Sequence, residues 1–232
     1  MASKIKKELE KAGDKERARN SRWFFKTGKG EYGEGDIFWG IKVPEQRQIA
    51  KKFSHISLKE IEELLHDKVH ECRLTALLVL VEKYAKAGEK EKEIIFKFYL
   101  KNYKYINNWD LVDLSAPKIV GDFLLSKNRK ILYELAKSDN VWKKRIAVLV
   151  TFAFIKNKDL TDALKIAEIL LNDEHDLIRK AVGWMLRETG KRDKKAEIDF
   201  LEKYASQMPR VMLRYAIEKL SPAERSYFLS KH

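Results

Sequence analysis

Cysteine, proline and glycine are scarce in this sequence of 232 residues, which has one cysteine, four prolines and ten glycines. The single cysteine, Cys72, excludes an intramolecular disulfide and is typical of a reducing compartment. So few prolines and glycines leave little to interrupt helices, and no segment alternates apolar and polar residues as a half-buried strand does. The sequence therefore favours an all-α protein.

Long apolar runs are also missing. No stretch reaches the roughly 18 apolar residues that a membrane-spanning helix needs. The N-terminus Met1–Lys15 carries too many charges for a signal peptide. We therefore expect a cytoplasmic protein without a membrane-spanning segment.

Acidic residues are outnumbered by basic ones, since the sequence has 35 aspartates and glutamates against 48 lysines and arginines and a net charge of +13. Such an excess suits the phosphate backbone of DNA, whose condensed counterions are released on binding. A lysine-rich surface with no polyanionic partner fits the same charge. An acidic protein or a membrane surface as the partner is also consistent with this positive charge.

An internal repeat is marked by arginines that precede apolar helical stretches. Arg73 lies 72 residues before Arg145, which is two steps of 36, and Arg179 and Arg214 follow at spacings of 34 and 35. The missing member falls at position 109, where the residue is Trp109. A period in the mid-thirties with two helices per unit predicts an α-α superhelix, or solenoid.

Amphipathic segments fill the other half of each unit, with apolar residues spaced three and four apart. They are Leu58–Leu65, Lys92–Leu100, Lys130–Ala136, Leu160–Leu171 and Lys195–Tyr204. Three of the arginines follow an aspartate by six residues, and these turn aspartates are Asp67, Asp139 and Asp173. An aspartate there can cap the second helix, and the Asp-to-Arg spacing resembles the HEAT repeat family, in which the two residues pair. We expect one HEAT-like domain over residues 1–232, with N-terminal helices and a glycine-rich loop over 1–53 and about five helical pairs over 54–232.

The N-terminal region departs from the repeat. Lys4–Phe25 is predicted to be one basic helix, and the glycine-rich loop Thr27–Asp36 follows it. A phosphate-binding loop is disfavoured there, because the GxxxxGK[ST] pattern is missing, no strand precedes the loop, and its three acids would repel phosphate. We interpret the loop as an ordered connector to a helix that starts near Val43, with Pro44 in its first turn.

Asp113 is the main candidate for chemistry. The positions four residues after the repeat anchors are Leu77, Asp113, Leu149 and Gly183. One repeat thus has a carboxylate where the others are apolar. Trp109 lies one helical turn before Asp113 on the same face, and repeat stacking is expected to bring both to about 8–10 Å from Arg145. Arg145 is then either a phosphate ligand or a ladder residue held by Asp139, and Asp113 is either a functional acid or a salt-bridged surface acid.

Other chemical constellations are weak. His66 and His70 lie four residues apart, but no third ligand is evident, and zinc requires three or four. Cys72 lies in an apolar helix, which favours a core residue over a nucleophile. We expect neither a metal nor a cofactor.

A family resemblance rests on matched positions from about Arg19 to the C-terminus. It is carried by Trp109, Asp113 and Arg145, and by the segments Gly35–Glu45, Ser138–Trp142 and Ala181–Glu188. These residues resemble the motifs of the AlkD-type DNA alkylation repair glycosylases, a family of HEAT-like repeat proteins. The glycine-rich loop departs from that family, since it is longer and more acidic.

The resemblance implies a monofunctional DNA N-glycosylase of base excision repair, a hydrolase that holds double-stranded DNA on a basic concave surface. Such enzymes excise positively charged alkylated purines, notably 7-methylguanine and 3-methyladenine, without base flipping. The resemblance also implies that Asp113 stabilises the oxocarbenium-like sugar and positions water, that Trp109 packs against the deoxyribose, and that Arg145 binds backbone phosphate. The further DNA-binding candidates are Trp184, Arg187 and Arg179.

A second function is kept beside the glycosylase. A non-catalytic HEAT-repeat adaptor that binds DNA structures or an acidic protein has the same scaffold and charge. For either function we expect a monomer in the cytoplasm, associated with the nucleoid when bound to DNA, with no membrane partner.

Overall fold

The computed structural model describes residues 1–231, which form two compact units. The first unit is Met1–Ser115, and the second begins at Ala116. Every regular element of residues 1–231 is a helix, and the strand-like pairing found there is one isolated bridge between Ile37 and Val69. The predicted all-α class is confirmed.

The helices of the first unit include the element that carries Trp109 and Asp113. They are α1 (Ala2–Lys11), α2 (Lys15–Phe24), α3 (Val43–Lys52), α4 (Leu58–Leu65), α5 (His70–Lys86), α6 (Glu89–Lys101) and α7 (Trp109–Ala116). A short 3-10 helix, Tyr103–Tyr105, precedes α7. The helix predicted near Val43 is present, with Pro44 in its first turn.

The second unit starts with a π-helical turn, Pro117–Gly121. Its α-helices are α8 (Asp122–Leu124), α9 (Lys130–Ala136), α10 (Val141–Lys156), α11 (Thr161–Ile169), α12 (Asp176–Gly190), α13 (Lys194–Tyr204), α14 (Arg210–Ala216) and α15 (Pro222–Ser230). A 3-10 turn, Ile217–Lys219, lies between the last two.

Helical pairs repeat along the chain and pack as the period in the mid-thirties predicts. The helices α4 and α5 contact each other in the first unit, and α9 with α10, α11 with α12, and α13 with α14 do so in the second. The second helices also stack on one another, α10 on α12 and α12 on α14. They are buried on several faces, since every residue from His70 to Leu80 in α5 and from Arg145 to Thr151 in α10 is buried. This is the helical repeat fold.

The N-terminal basic segment is two helices, where one was predicted over Lys4–Phe25. Ala12, Gly13 and Asp14 separate α1 from α2 and are not helical. The Asp14 carboxylate accepts a hydrogen bond from the backbone N–H of Arg17 at 2.8 Å and so caps α2. A Cβ at Gly13 would lie 3.0 Å from the carbonyl oxygen of Trp39, so the turn packs closely against that residue.

The turn aspartates act differently from the predicted carboxylate-to-arginine pairing. Arg73 and Arg179 donate to the backbone carbonyls of Asp67 and Asp173, at 3.2 and 2.6 Å. The carboxylates instead accept backbone N–H groups two residues ahead, at 2.8 Å for Asp67 and 2.9 Å for Asp173. Lys144 of α10 also binds the Asp173 carboxylate at 2.6 Å. The aspartates therefore fix the turns, and a lysine provides the ion pair to the preceding repeat.

Gly183 lies where α12 and α14 cross closely. A Cβ there would approach the carbonyl oxygen of Met212 to 2.4 Å and the Cβ of Tyr215 to 2.6 Å. Glycine is therefore required at this position for the two helices to pack at the observed distance. The same register position holds Asp113 in α7.

We expect Gly183→Ala to lower the free energy of unfolding by at least about 1 kcal/mol, because overpacking exceeds the gain in helix propensity. Urea denaturation followed by circular dichroism measures the change. Gly88→Ala is the matched control, because a Cβ at Gly88 meets nothing within 4 Å. Equal stability of the two variants would contradict the close crossing.

Candidate functional site

Trp109 and Asp113 lie on α7, one turn apart, as the sequence predicts. Asp113 is half-buried, whereas its register equivalents Leu77, Leu149 and Gly183 are buried. Burial, together with the negative charge of Asp113, raises the pKa of the Tyr99 hydroxyl above its usual range, although a hydrogen bond with Ser115 opposes the shift. An anionic group thus lies at the boundary between the apolar interior of the first unit and solvent.

Aromatic rings support Trp109 from the N-terminal segment. Phe25 stacks on Trp109 with ring centroids 5.3 Å apart and planes at 20°. Phe38 stacks on the ring of Phe25, with centroids 5.0 Å apart and planes at 16°. Phe24 meets Trp109 edge-on at 5.8 Å. These offset and edge-to-face arrangements are the favourable ones for aromatic pairs, so the indole is held as a rigid plate.

A buried charged network lies next to this aromatic stack. His70, the first residue of α5, is only 2% exposed, and both of its ring nitrogens face carboxylates. Its Nε2 is 2.8 Å from Asp110 in the first turn of α7, and its Nδ1 is 3.3 Å from Asp36. The imidazole also stacks on Phe38 at 4.7 Å. His70 therefore joins the start of α7 to the end of the glycine-rich loop.

Arg73 and Asn108 complete the network around Asp36. The guanidinium of Arg73 donates to both carboxylate oxygens of Asp36, at 2.7 and 2.8 Å. Asn108 donates to Asp36 at 3.4 Å, and its own side-chain oxygen accepts the backbone N–H of Trp109 at 2.8 Å. The residue that starts α7 is thus fixed by the same carboxylate that binds His70 and Arg73.

Opposite charges determine the protonation of this network. Burial alone would lower the pKa of His70, but the Asp110 charge and the hydrogen bonds that His70 donates to Asp110 and Asp36 raise it to about 9. Burial would likewise raise the pKa of Asp36, but the hydrogen bond with His70 and the charge of Arg73 hold it below its usual range. At neutral pH His70 is therefore an imidazolium that donates from both nitrogens to two carboxylates.

A short backbone pairing brings Asp36 to His70. The N–H of Ile37 donates to the carbonyl of Lys68 at 3.2 Å, and the N–H of His70 donates to the carbonyl of Ile37 at 2.8 Å. Close by, the buried carboxylate of Glu71 accepts the N–H groups of Trp39, Gly40 and Ile41 at 2.7–3.3 Å. The segment that carries Phe38 is therefore held by hydrogen bonds to the start of α5.

The glycine-rich loop Thr27–Asp36 binds its own backbone. Glu31 accepts the N–H of Gly28, and Glu34 accepts the N–H of Gly30, each at 2.8 Å. Carboxylates thus occupy amides that a phosphate-binding loop would offer to its ligand. This geometry agrees with the interpretation of the loop as an ordered connector.

The other predicted site residues belong to the second unit. Arg145 is 6% exposed and donates to the carbonyl of Leu177 in α12 at 2.6 Å. This contact ties α10 to α12, as a ladder residue does. Arg179 is half-buried and bonded to its turn.

Trp184 and Arg187 lie on α12 and are half-buried. The Trp184 indole N–H donates to Glu188 at 3.1 Å. Arg187 pairs with the carboxylate of Glu218. A phosphate that binds Arg187 must therefore compete with an existing carboxylate partner.

The two histidines of the weak metal hypothesis do not come together. Both ring nitrogens of His70 face carboxylates, and His66 stacks on Tyr105 and bonds to Asn102. Within residues 1–231 no group of three or more His, Cys, Asp or Glu side chains could hold a metal ion. The same part of the chain has no helix long and apolar enough to cross a membrane.

The sequence matches a known protein family. The family described as DNA alkylation repair enzyme matches residues 5–220 of the chain. The chain belongs to this family. No curated protein matches it.

A solved structure described as a predicted DNA alkylation repair enzyme from Enterococcus faecalis is similar to this chain. The TM-score is 0.73 at 19% sequence identity, over 90% of this chain and 97% of that one. At this identity the likeness concerns the fold, and it confirms the arrangement of helices.

The residues that support α7 could not be identified from the sequence. Asp36 lies within the segment Gly35–Glu45, which contributed to the family resemblance, but nothing in the sequence connected it with His70 or Asp110. In the sequence, Phe25 is distinguished only as the last residue of the predicted basic helix. Membership of the family implies that the substrate of this protein is DNA.

Proposed function

We propose that the protein is a monofunctional DNA N-glycosylase that removes positively charged alkylated purines, such as 7-methylguanine and 3-methyladenine, in base excision repair. The observation that carries the proposal is the pairing of a half-buried carboxylate, Asp113, with a rigidly supported indole, Trp109, on one face of α7. Both side chains belong to a helix whose start is fixed by buried charges.

The chemistry suits a carboxylate that acts by its charge. The bond between C1′ and the alkylated base breaks, and its electron pair goes to the cationic base, which leaves neutral. The sugar develops positive charge, and Asp113 stabilises it. A water oxygen then bonds to C1′, and its proton passes to Asp113 and on to solvent. Because the alkylated base is already a good leaving group, the step needs no cofactor. The family resemblance implies that it proceeds without base flipping.

Trp109 has a positioning role in this proposal. Its ring packs against the deoxyribose of the damaged nucleotide, and the stack on Phe25 keeps it from rotating away. A rigid wall on one side of the sugar leaves the carboxylate and water to approach C1′ in a defined geometry.

The second unit supplies DNA contacts in this proposal. Trp184, Arg187 and Arg179 remain the candidates, and Arg145 remains a phosphate ligand by prediction. The burial of Arg145 and its bond to Leu177 indicate that it also holds α10 against α12. The net charge of +13 favours a duplex over an uncharged ligand.

Incubation of the purified protein with N-methylated duplex DNA tests the proposal. We expect time-dependent release of free 7-methylguanine and abasic sites, without strand cleavage, and binding that weakens steeply as salt rises. Chromatography of the released bases measures the first result. DNA binding without any base release would support the HEAT-repeat adaptor instead.

A further inference from the structure

An open cleft of about 600 Å³ lies at the C-terminal end of α2. Among the residues lining it are Trp23, Phe24, Phe25, Ile41, Arg17 and Lys42. Three consecutive aromatic side chains therefore share one concave surface. The Asn20 amide and the Ser21 hydroxyl also line it and add hydrogen-bonding groups.

The aromatic side chains at this cleft are unusually exposed. Trp23 is 84% exposed and Phe24 is 56% exposed, the two highest values among the large apolar side chains of residues 1–231. Folding has thus left an indole ring in water, although burying such a ring elsewhere in the fold is favourable by a few kcal/mol, about 25 cal/mol per Å² of apolar surface. An adjacent pair of exposed aromatic residues marks a surface that another molecule covers.

The charge around the cleft indicates what that molecule is. Arg17 and Lys42 line the cleft, and Lys42 is exposed and has no ion-pair partner within residues 1–231. The two acids of the following loop, Glu31 and Glu34, are bound to loop amides. Flat rings beside cations are the combination that binds unstacked bases on a phosphate backbone.

The cleft is continuous with the candidate active site. Phe24 lines the cleft and meets Trp109 edge-on at 5.8 Å, and Phe25 lines it and stacks on Trp109 at 5.3 Å. The cleft therefore extends to Trp109 through Phe24 and Phe25.

We propose that this aromatic cleft binds an unpaired nucleobase of the DNA next to the lesion, with the exposed indole of Trp23 as the stacking surface. The proposal rests on the proposed function for the identity of the DNA, and it adds a binding site for a base that is not the one excised. The indole stacks on the base, Asn20 and Ser21 face its polar edge, and Arg17 and Lys42 neutralise the flanking phosphates.

The test compares the affinity of the protein for two 20-base-pair DNA duplexes, one fully paired and one with a single unpaired adenine. We expect the unmodified protein to bind the duplex with the unpaired adenine more tightly. Trp23→Ala should weaken that binding about 10-fold, as expected for one lost base–aromatic stack, and leave binding of the paired duplex unchanged. Trp23→Phe should keep most of the preference, because a phenyl ring still stacks. Fluorescence anisotropy of labelled DNA gives both affinities.

Two control variants separate stacking from charge. Tyr227→Ala removes an aromatic side chain that is 49% exposed on α15 and should change neither affinity. Lys42→Gln should weaken binding of both duplexes equally. Because Trp23 is exposed, Trp23→Ala should also keep the thermal midpoint of the unmodified protein.

Three results would overturn the cleft as a base site: equal affinity of the unmodified protein for the two duplexes, an equal loss on both duplexes in Trp23→Ala, or no loss on either. Release of 7-methylguanine is measured on the same preparations. A preference for the unpaired adenine without base release would refute the glycosylase and leave the cleft in place. Base release without the preference would refute only the cleft.

Discussion

Asp113→Asn is expected to slow the release of 7-methylguanine by about 100- to 1000-fold, the usual cost of removing one preorganised electrostatic group from an active site. Asparagine keeps the shape and some hydrogen bonding but lacks the negative charge that faces the developing sugar cation. The half-buried position of Asp113 strengthens this effect, because charges interact more strongly where water is partly excluded. Single-turnover release from methylated DNA measures it.

DNA binding separates a chemical role of Asp113 from a structural one. We expect Asp113→Asn to bind duplex DNA at least as tightly as the unmodified protein, since the substitution removes a negative charge next to a polyanion. Asp199→Asn on α13 is the matched control, because its carboxylate is 60% exposed and, within residues 1–231, pairs only with Lys195 along the same helix. A release rate for Asp113→Asn equal to that of the control would refute the assigned role.

His70→Ala is expected to lower the free energy of unfolding of the first unit by about 3–5 kcal/mol. The substitution removes the cation that lies between Asp36 and Asp110 and leaves two buried carboxylates close together. It also removes a ring from the stack with Phe38 and Phe25. Urea denaturation at pH 6 measures the loss.

The same imidazolium predicts a dependence of stability on pH. The pKa of His70 is raised from 6.5 to about 9 in the folded protein, so the folded state holds the proton more tightly than the unfolded state. Its contribution, on the order of 3 kcal/mol, is complete below about pH 6.5, declines as the pH rises, and is lost above about pH 9. The charged groups that face His70 are Asp36, Asp110 and Arg73.

Unfolding of the unmodified protein at pH 6 and pH 9 tests this dependence. His55→Ala is the control, since His55 is exposed and should leave the pH slope intact. His70→Ala should unfold with a markedly smaller slope. A slope in His70→Ala equal to that of the control would show that His70 is not the titrating group.

Much of the fold follows from local patterns in the sequence. The bounds of α4 and α9 agree with the predicted Leu58–Leu65 and Lys130–Ala136, because their apolar spacing leaves a single buried face. The repeat period also predicts which helices stack. The separation of α1 from α2 was not predicted, because basic residues lie on both sides of Gly13 and make the segment resemble one continuous basic helix. Asp14 is nevertheless a residue type that commonly caps the start of a helix.

The only residues of the candidate site that could be predicted are those whose type is unusual for their position in the repeat. Asp113 stands out because its equivalents are leucine or glycine, and Trp109 is found by counting back one turn. The network around His70 was not predictable, since Asp36, His70 and Asp110 come from three segments that only the folded chain brings together. The Asp-to-Arg spacing of six also predicted the wrong contact, because Arg73 and Arg179 bind the backbone carbonyls of their turn aspartates and not the carboxylates of those aspartates.

The origin of the residues that support α7 has an evolutionary consequence. Phe25, Asp36 and Phe38 belong to the N-terminal segment, outside the repeated helical pairs. Duplication of a repeat would copy a tryptophan and an aspartate at the right spacing, but the copy would lack the rings and the buried carboxylate that hold them. A chain of this kind can therefore lengthen by whole repeats without acquiring a second site of the same kind.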